Sequence, residues 1–386
     1  MAASPDQRPL IAHVVFRFDY GGLENGIVNI VNGLSEELFR HAIIAMTEAS
    51  DFRRRIRRAD VEVHALNKQP GKDPASYLRL FRLIRRLRPA ILHTRNFGTL
   101  EGALVGRVAG AACRIHGEHG WDVYDPDGTS RKYRAVRRVI SPAVSRFVTV
   151  SKELQQYLID RVGIPAPKVT RICNGVDTDR FQPREDAARA LLPAERFPRG
   201  TVVVGSVTRF SEIKDPLNLV RAFIEARRSA DGAALRLLML GDGPLRPQAE
   251  QMLAESGNAS VAWLPGSRDD VAALMRAMDV FVLGSLREGI SNTVLEAMAS
   301  GLPVVASAVG GNLELIQNQT TGVLTPPGDS AAIAQVLLHY AREPQRRLEH
   351  GRQARERAER EYSLRRMLAD YENLYRRHSG LTLEAA

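Results

Sequence analysis

The sequence predicts an α/β protein of two doubly wound domains in tandem, facing each other across a cleft. Three observations predict it. Short β-branched runs alternate with helical stretches from end to end, and parallel strands need the crossovers that helices supply. A break at 183–200, "PREDAARALLPAERFPRG", carries three prolines and a terminal glycine without strong periodicity. The chain has 386 residues, which at roughly 100–200 per domain makes two domains of similar size.

The first domain is expected over residues 1–185, with strands in "IAHVVF", "HAIIAM", "VEVHAL", "AILHTR", "CRIHG", "FVTV" and "VTRIC" and amphipathic helices between most of them. Residues 186–200 read as a linker. The pattern resumes over 201–362 with "TVVVGSV", "LRLLML", "VAWLPG", "VFVLGS", "PVVAS" and "TGVLTP". Residues 363–386 read as a charged helical segment that either caps the second domain or crosses back to the first.

Composition narrows the class. An apolar fraction of 44% with 25% charged residues is ordinary for a soluble globular chain. The N-terminus lacks a charged start followed by a long apolar run, and no apolar stretch approaches the ~18–20 residues of a membrane span. Two cysteines, Cys113 and Cys173, make neither a disulfide framework nor a metal-ligand pattern, so a cytoplasmic setting is expected. The net charge of +10 gathers as arginine at 51–60, 77–89 and 130–140. Solvated helix faces account for this, and so does attraction to an anionic membrane surface or acceptor. Nucleic acid is not an expected partner, since the clusters lack interleaved aromatic residues and no helix-turn-helix or zinc pattern appears.

Ligands of doubly wound domains sit at the carboxyl ends of the strands, so the loops there carry the chemistry. In "SLREGISNTVLEAMASGLPVVAS" a strand end leads through a loop into a helix closed by Gly301 and Pro303. The helix start suits a phosphate, with Ser291, Asn292 and Thr293 as added donors. Glu296, one turn in, accepts two hydroxyl hydrogen bonds as a ribose diol supplies them, and Glu288 in the loop serves a second polyol. That spacing fits a nucleotide-sugar. "TVLE" also reads as a capping box, in which Glu296 merely satisfies the helix start at Thr293. Arg209 and Lys214 lie in the loop of "VTRFSEIKDP", either as surface charges or as cations that neutralise a diphosphate, more so as it departs. Gly241 and Gly243 form part of a glycine-rich fingerprint, and Gly266, Ser267 and Arg268 offer a place for a base to stack. In the first domain, adjacent Gly21 and Gly22 admit a ligand to backbone N–H groups. "HGEHG" places His116 and His119 in a loop where a histidine either donates to a sugar hydroxyl or serves the turn structurally. Asp125 to Asp127 read as turn chemistry rather than a metal site.

The pattern resembles the retaining glycosyltransferases of the GT-B fold, family 4, whose two domains are Rossmann-like. "REGISNTVLEAMASGLPVVAS" is similar to the family's paired-glutamate motif. "DYGGLENGIVNI", "VSKELQQYLI", "RICNGVDTDRFQP", "TRFSEIKDP", "GDGPLR", "VGGNLELI" and "TGVLTPPGD" resemble its other landmarks in order. The resemblance is to sugar transferases associated with bacterial exopolysaccharide systems in particular. It implies a UDP- or GDP-linked sugar donor, held chiefly by the C-terminal domain, with no metal and no cofactor besides that donor. Glu288 would contact the donor sugar, Glu296 the ribose, and Arg209 and Lys214 the diphosphate. His119 would contact the sugar from the other domain, and Gly21 and Gly22 would lie beside phosphates and acceptor. The acceptor would be a glycan or a lipid-linked glycan at the cytoplasmic membrane face. Thr208 and Cys173 depart from the family's usual Gly and Pro. A phosphate-dependent sugar phosphorylase of the same fold, and a non-catalytic nucleotide-sugar-binding subunit, are the alternative readings.

Overall fold

The computed structural model describes residues 8–122, 124–183 and 186–380. The residues read for a leader, 1–7, and the last six of the C-terminal segment lie outside them. The chain divides into two units, residues 1–174 with 365–386, and residues 175–364.

The first unit is built on seven parallel strands: β1 (Leu10–Val15), β2 (Arg40–Ala45), β3 (Glu62–Ala65), β4 (Ile91–Arg95), β5 (Cys113–Glu118), β6 (Arg146–Thr149) and β7 (Val169–Arg171), in the order β3-β2-β1-β4-β5-β6-β7. β1, β2 and β4 are buried almost end to end, which is why they read as near-continuous apolar runs. Helix Pro74–Leu87 covers one face through Leu80, Leu83 and Ile84. Its start is set by Asp73, whose carboxylate accepts from the Ser76 N–H at 3.1 Å, and by Pro74 in the first turn. From Arg365 onward, helix Leu364–Ser379 belongs to this unit and brings Tyr371 and Tyr375 into its core.

The second unit has six parallel strands: β8 (Val202–Val207), β9 (Leu235–Leu240), β10 (Ala262–Gly266), β11 (Val280–Leu283), β12 (Val304–Ser307) and β13 (Gly322–Thr325), ordered β10-β9-β8-β11-β12-β13. Each sheet therefore reverses direction once, between β1 and β4 and between β8 and β11.

The expected linker is corrected. The chain changes unit at 174–175, and residues 186–200 are part of the second unit. Leu192 and Phe197 are buried, the Arg189 guanidinium bonds the Asp279 carboxylate, and Arg196 donates to the Ala262 carbonyl at 2.5 Å. A proline-rich segment without periodicity is anchored here by single apolar and arginine side chains. Among the described residues no helix is long and apolar enough to cross a membrane.

Candidate active site

The order reversal between β8 and β11 sends their following loops apart and opens a crevice at their carboxyl ends. The loop after β8 carries Arg209 and Lys214, and the loop after β11 carries Glu288. The two are tied by a backbone bond from the Leu286 N–H to the Ile213 carbonyl, 2.9 Å. Lys214 Nζ donates to Glu288 Oε1 at 2.6 Å, and Ser285 Oγ donates to the same oxygen at 2.6 Å. Glu288 is buried, and its Oε2 takes no hydrogen bond among the described residues. An ammonium has three donors, so Lys214 keeps two for a ligand. Arg209 is exposed, and no ion pair of the described residues engages its guanidinium.

The Glu288 loop is shaped by the turn after β12. Gly310 has a φ of +49°, and a Cβ there would lie 1.9 Å from the Glu288 carbonyl oxygen. The Gly311 N–H donates to the Gly289 carbonyl at 2.9 Å, fixing the loop from below. Gly241 and Gly243 are explained by contact between loops: a Cβ on either would strike the Thr208 or Phe210 carbonyl, at 2.0 and 2.6 Å. The first glycines of "GDGPLR" thus hold the loop of Arg209 in place.

Helix Asn292–Ala299 starts one residue after Ser291, whose hydroxyl accepts from the Val294 N–H at 3.4 Å and lies 3.2 Å from the Thr293 hydroxyl. Ser291 is the cap, so the capping box at Thr293 is excluded and Glu296 lies beyond the reach of that role. The Glu296 carboxylate has no hydrogen bond among the described residues. Burial pushes its pKa up to about 7, with Arg180 acting in the opposite direction. An unsatisfied, half-buried acid at this position is poised to accept ligand hydroxyls. Arg268 is exposed, and Asp270 holds its Nε and Nη2 at 2.8 and 2.7 Å, which leaves Nη1 and the flat face for a base. Sequence reasoning missed Asn218, fully buried with both amide atoms unpartnered, beside Gly284 at the end of β11.

In the first unit the reversal lies between β1 and β4. Gly21 caps helix Gly22–Gly33 in an extended conformation that any residue adopts. Its small size has another reason: a Cβ would lie 2.1 Å from Glu24 Oε2. The Glu24 carboxyl folds back over the helix start, and burial raises its pKa. Gly21 therefore makes room for the chain's own acid, where open N–H groups for a phosphate were expected beside Gly21 and Gly22. The acid in the first helical turn was the available signal.

The two histidines separate cleanly. His116 is buried within β5, its Nδ1 2.8 Å from the Thr94 hydroxyl and its Nε2 3.6 Å from Glu118. His119 lies past the strand end, where its N–H donates to Asn96 Oδ1 at 2.8 Å. Its Nε2 is buried without a partner, and burial together with Arg95 lowers its pKa to about 3, so the ring is neutral. Arg95, at the end of β4, is 1% exposed and bonds the His93 carbonyl at 3.4 Å. Among the described residues it makes no salt bridge. Asp125 accepts from the Ser130 N–H at 2.9 Å as a turn residue does, and no group of three metal-ligating side chains occurs among the described residues.

Comparison with known proteins decides what this arrangement is. The family described as "Glycosyltransferase Family 4" matches residues 20–180, and the one described as "Glycosyl transferases group 1" matches residues 200–343. The chain belongs to the family 4 glycosyltransferases, with the GT-B fold. This glycosyltransferase is 28% identical over 277 residues to the UDP-Gal:alpha-D-GlcNAc-diphosphoundecaprenol alpha-1,3-galactosyltransferase of Escherichia coli, covering 69% of this chain and 70% of that enzyme. It is 27% identical over 235 residues to the putative glycosyltransferase EpsF of Bacillus subtilis, covering 58% of this chain and 61% of that one. Among solved structures, a glycosyltransferase from Rickettsia africae matches with a TM-score of 0.82 at 21% identity, covering 98% and 100% of the two chains. Anabaena HepE in complex with UDP and glucose matches with a TM-score of 0.78 at 20% identity, covering 95% and 99%.

Proposed function

We propose that this glycosyltransferase moves a sugar, with retained anomeric configuration, from a UDP-linked donor to a glycan or lipid-linked acceptor in cell-surface glycan synthesis. The observation that carries the reading is the Lys214–Glu288–Ser285 constellation at the order reversal of the second sheet, in the loop that leads into the helix of an unsatisfied Glu296. UDP is preferred over GDP because the E. coli relative uses UDP-Gal and HepE is solved with UDP-glucose.

In this reading Glu296 accepts the two ribose hydroxyls and the helix start with Ser291, Asn292 and Thr293 faces the diphosphate. Arg268 lays its flat face on the base. Arg209 and the free donors of Lys214 balance the charge that grows on the departing diphosphate, so no metal is required. Glu288 Oε2 receives a donor-sugar hydroxyl, and in the first unit the neutral His119 ring is available to donate to a sugar hydroxyl. The bond from the sugar C1 to the phosphate oxygen breaks while a bond to the acceptor oxygen forms on the same face. The acceptor's proton passes to the departing phosphate. Peripheral attachment to an anionic cytoplasmic membrane face, through the arginine clusters, completes the proposal.

Calorimetric titration with UDP and GDP tests it. UDP is expected to bind near ~10 μM, or about 7 kcal/mol, and Glu296→Ala is expected to weaken it at least tenfold. Absence of binding by either nucleotide refutes the reading. Product anomers read by NMR, with and without EDTA, check retention and metal independence.

A further inference from the structure

A cavity of about 460 Å³ opens in the first unit between residues 121–134 and the helix that starts at Lys152. That volume lies in the range small-ligand sites occupy, roughly 300–1,000 Å³. None of the residues discussed so far as donor or catalytic groups lines it. We propose that this cavity seats a neutral glycosyl unit of the acceptor. The inference rests on the transferase reading above and deepens it by naming the chemical class of the acceptor.

Its wall is aromatic. Trp121 stands edge-on against Tyr157, ring centroids 5.0 Å apart and planes at 73°. Gly128 makes that pairing possible: it has a φ of +62°, and a Cβ there would lie 2.4 Å from the Trp121 ring and 2.8 Å from the Tyr157 ring. Behind Tyr157, the Arg137 guanidinium sits 5.7 Å from the ring centroid and is itself held by Glu118 at 2.6 Å. The wall is therefore braced from the end of β5, and Trp121 follows His119 by two residues in the chain. Sugar rings present apolar C–H faces, and a rigid indole supplies the matching surface at little entropic cost.

Its rim is polar and unspent. After one turn of α-helix the segment Tyr157–Val162 widens into a π-helix, an uncommon conformation frequent at functional sites. Gln156, the last α-helical residue, and Asp160 of the π-helix are exposed at the cavity, and neither side chain bonds another described residue. An amide and a carboxylate beside an aromatic ring match the alternating donors and acceptors of a polyol. Charge excludes the other occupants. Of the ten lining residues, three are acidic and two basic, so a phosphate meets net repulsion and an alkyl chain meets charge.

Trp121 also supplies the test, because the chain holds only two tryptophans. In a Trp263→Phe background the fluorescence reports Trp121 alone. Methyl α-D-glucopyranoside, methyl α-D-galactopyranoside and methyl N-acetyl-α-D-glucosaminide are titrated up to their solubility, with sodium phosphate as the anionic probe. At least one glycoside is expected to give a saturable change, weakened roughly tenfold, or about 1.4 kcal/mol, by Gln156→Ala with Asp160→Asn. Phosphate is expected to give none. These two residues are exposed, so the double variant keeps the fold, which its unchanged melting temperature and circular dichroism verify. If UDP binds while no glycoside alters Trp121, or phosphate alone saturates, the cavity proposal falls and the transferase reading stands. If a glycoside saturates while UDP does not bind, the transferase reading falls and the acceptor role with it.

Discussion

Glu296 is the residue on which the chemistry can be read most directly. Its pKa of about 7 means that the empty site holds the acid half-protonated near neutrality, since burial penalises the charge and Arg180 relieves it only in part. In the proposed role a ribose diol donates to the ionised form, so nucleotide binding should draw a proton off the carboxyl. Affinity should weaken as pH falls below about 7 and level off above it, by up to about tenfold per pH unit at the limit. Calorimetry in buffers of different ionisation enthalpy should register proton release at neutral pH, and Glu296→Gln should abolish it. The stability sign runs the other way. The folded pKa exceeds the unfolded one, so the native state binds the extra proton between about 4.5 and 7 and loses relative stability as pH rises through that window. Glu296→Gln should therefore raise the melting temperature of the free protein at pH 8, leave it unchanged at pH 4, and weaken UDP binding. A variant that lowers the melting temperature at pH 8 would show that Glu296 serves the fold. Little of this was legible in the sequence, where "TVLE" serves a cap or a ribose equally well. The choice turns on whether the helix starts at Ser291 or Thr293, a shift of two residues that local sequence does not resolve.

At the scale of elements, the second unit's site is a meeting of loops from β8, β11 and β12. Lys214 and Glu288 are 74 residues apart and touch only because those strands are ordered β8-β11-β12. The strands themselves were legible, since parallel strands covered on both faces appear as apolar runs. Their order was not, and with it the Lys214–Glu288 contact and the part played by Gly310. That glycine gives the sharpest check on the arrangement. In Gly310→Ala the added carbon must push the Glu288 carbonyl aside and accept a positive φ, a strain of about 1–2 kcal/mol. The expected result is a folded protein with UDP binding within about threefold of the parent, because Glu296 and the helix start are untouched, and turnover reduced roughly a hundredfold, or about 2.7 kcal/mol. Equal losses in binding and turnover would mean that Gly310 supports the unit as a whole. Ser291→Ala tests the neighbouring element. Losing this cap should cost about 1 kcal/mol of stability, read by denaturant unfolding of the second unit.

For the molecule as a whole, the two units rest on different chemistry although both are parallel sheets of the same winding. The second has an apolar core around Phe210, Phe223 and Tyr340. The first carries a polar layer within its core: His41 on β2, His13 on β1 and His93 on β4, with Tyr371 and Tyr375 of helix Leu364–Ser379 against them. His13 Nε2 lies 2.9 Å from His41 Nδ1, His93 Nδ1 lies 2.9 Å from the Tyr375 hydroxyl, and the buried Arg95 guanidinium reaches that same His93 nitrogen at 3.4 Å. Each of these strands shows one histidine in an apolar run, but which face it takes, and that a helix from the far end of the chain meets it, belongs to the tertiary structure. Burial first, and then Arg95 for His13 and His93 or Arg58 for His41, holds all three imidazoles neutral, His41 at about 3. Unfolded histidine titrates near 6.5, so each group favours the native state fully above that pH and costs up to about 1.4 kcal/mol per unit below it. Three together give a slope of up to about 4 kcal/mol per pH unit, enough to consume the stability of an ordinary domain between pH 6 and 4. Hydrogen exchange should therefore show β1, β2 and β4 losing protection near pH 5 while β8, β11 and β12 keep theirs. Replacing the stacked pair, His13→Leu with His41→Leu, should reduce the slope by up to about half, since His93 and the neutral His119 of the same unit remain. Equal acid sensitivity of the two sheets would refute this account of the layer. So would an unaltered slope in the double variant.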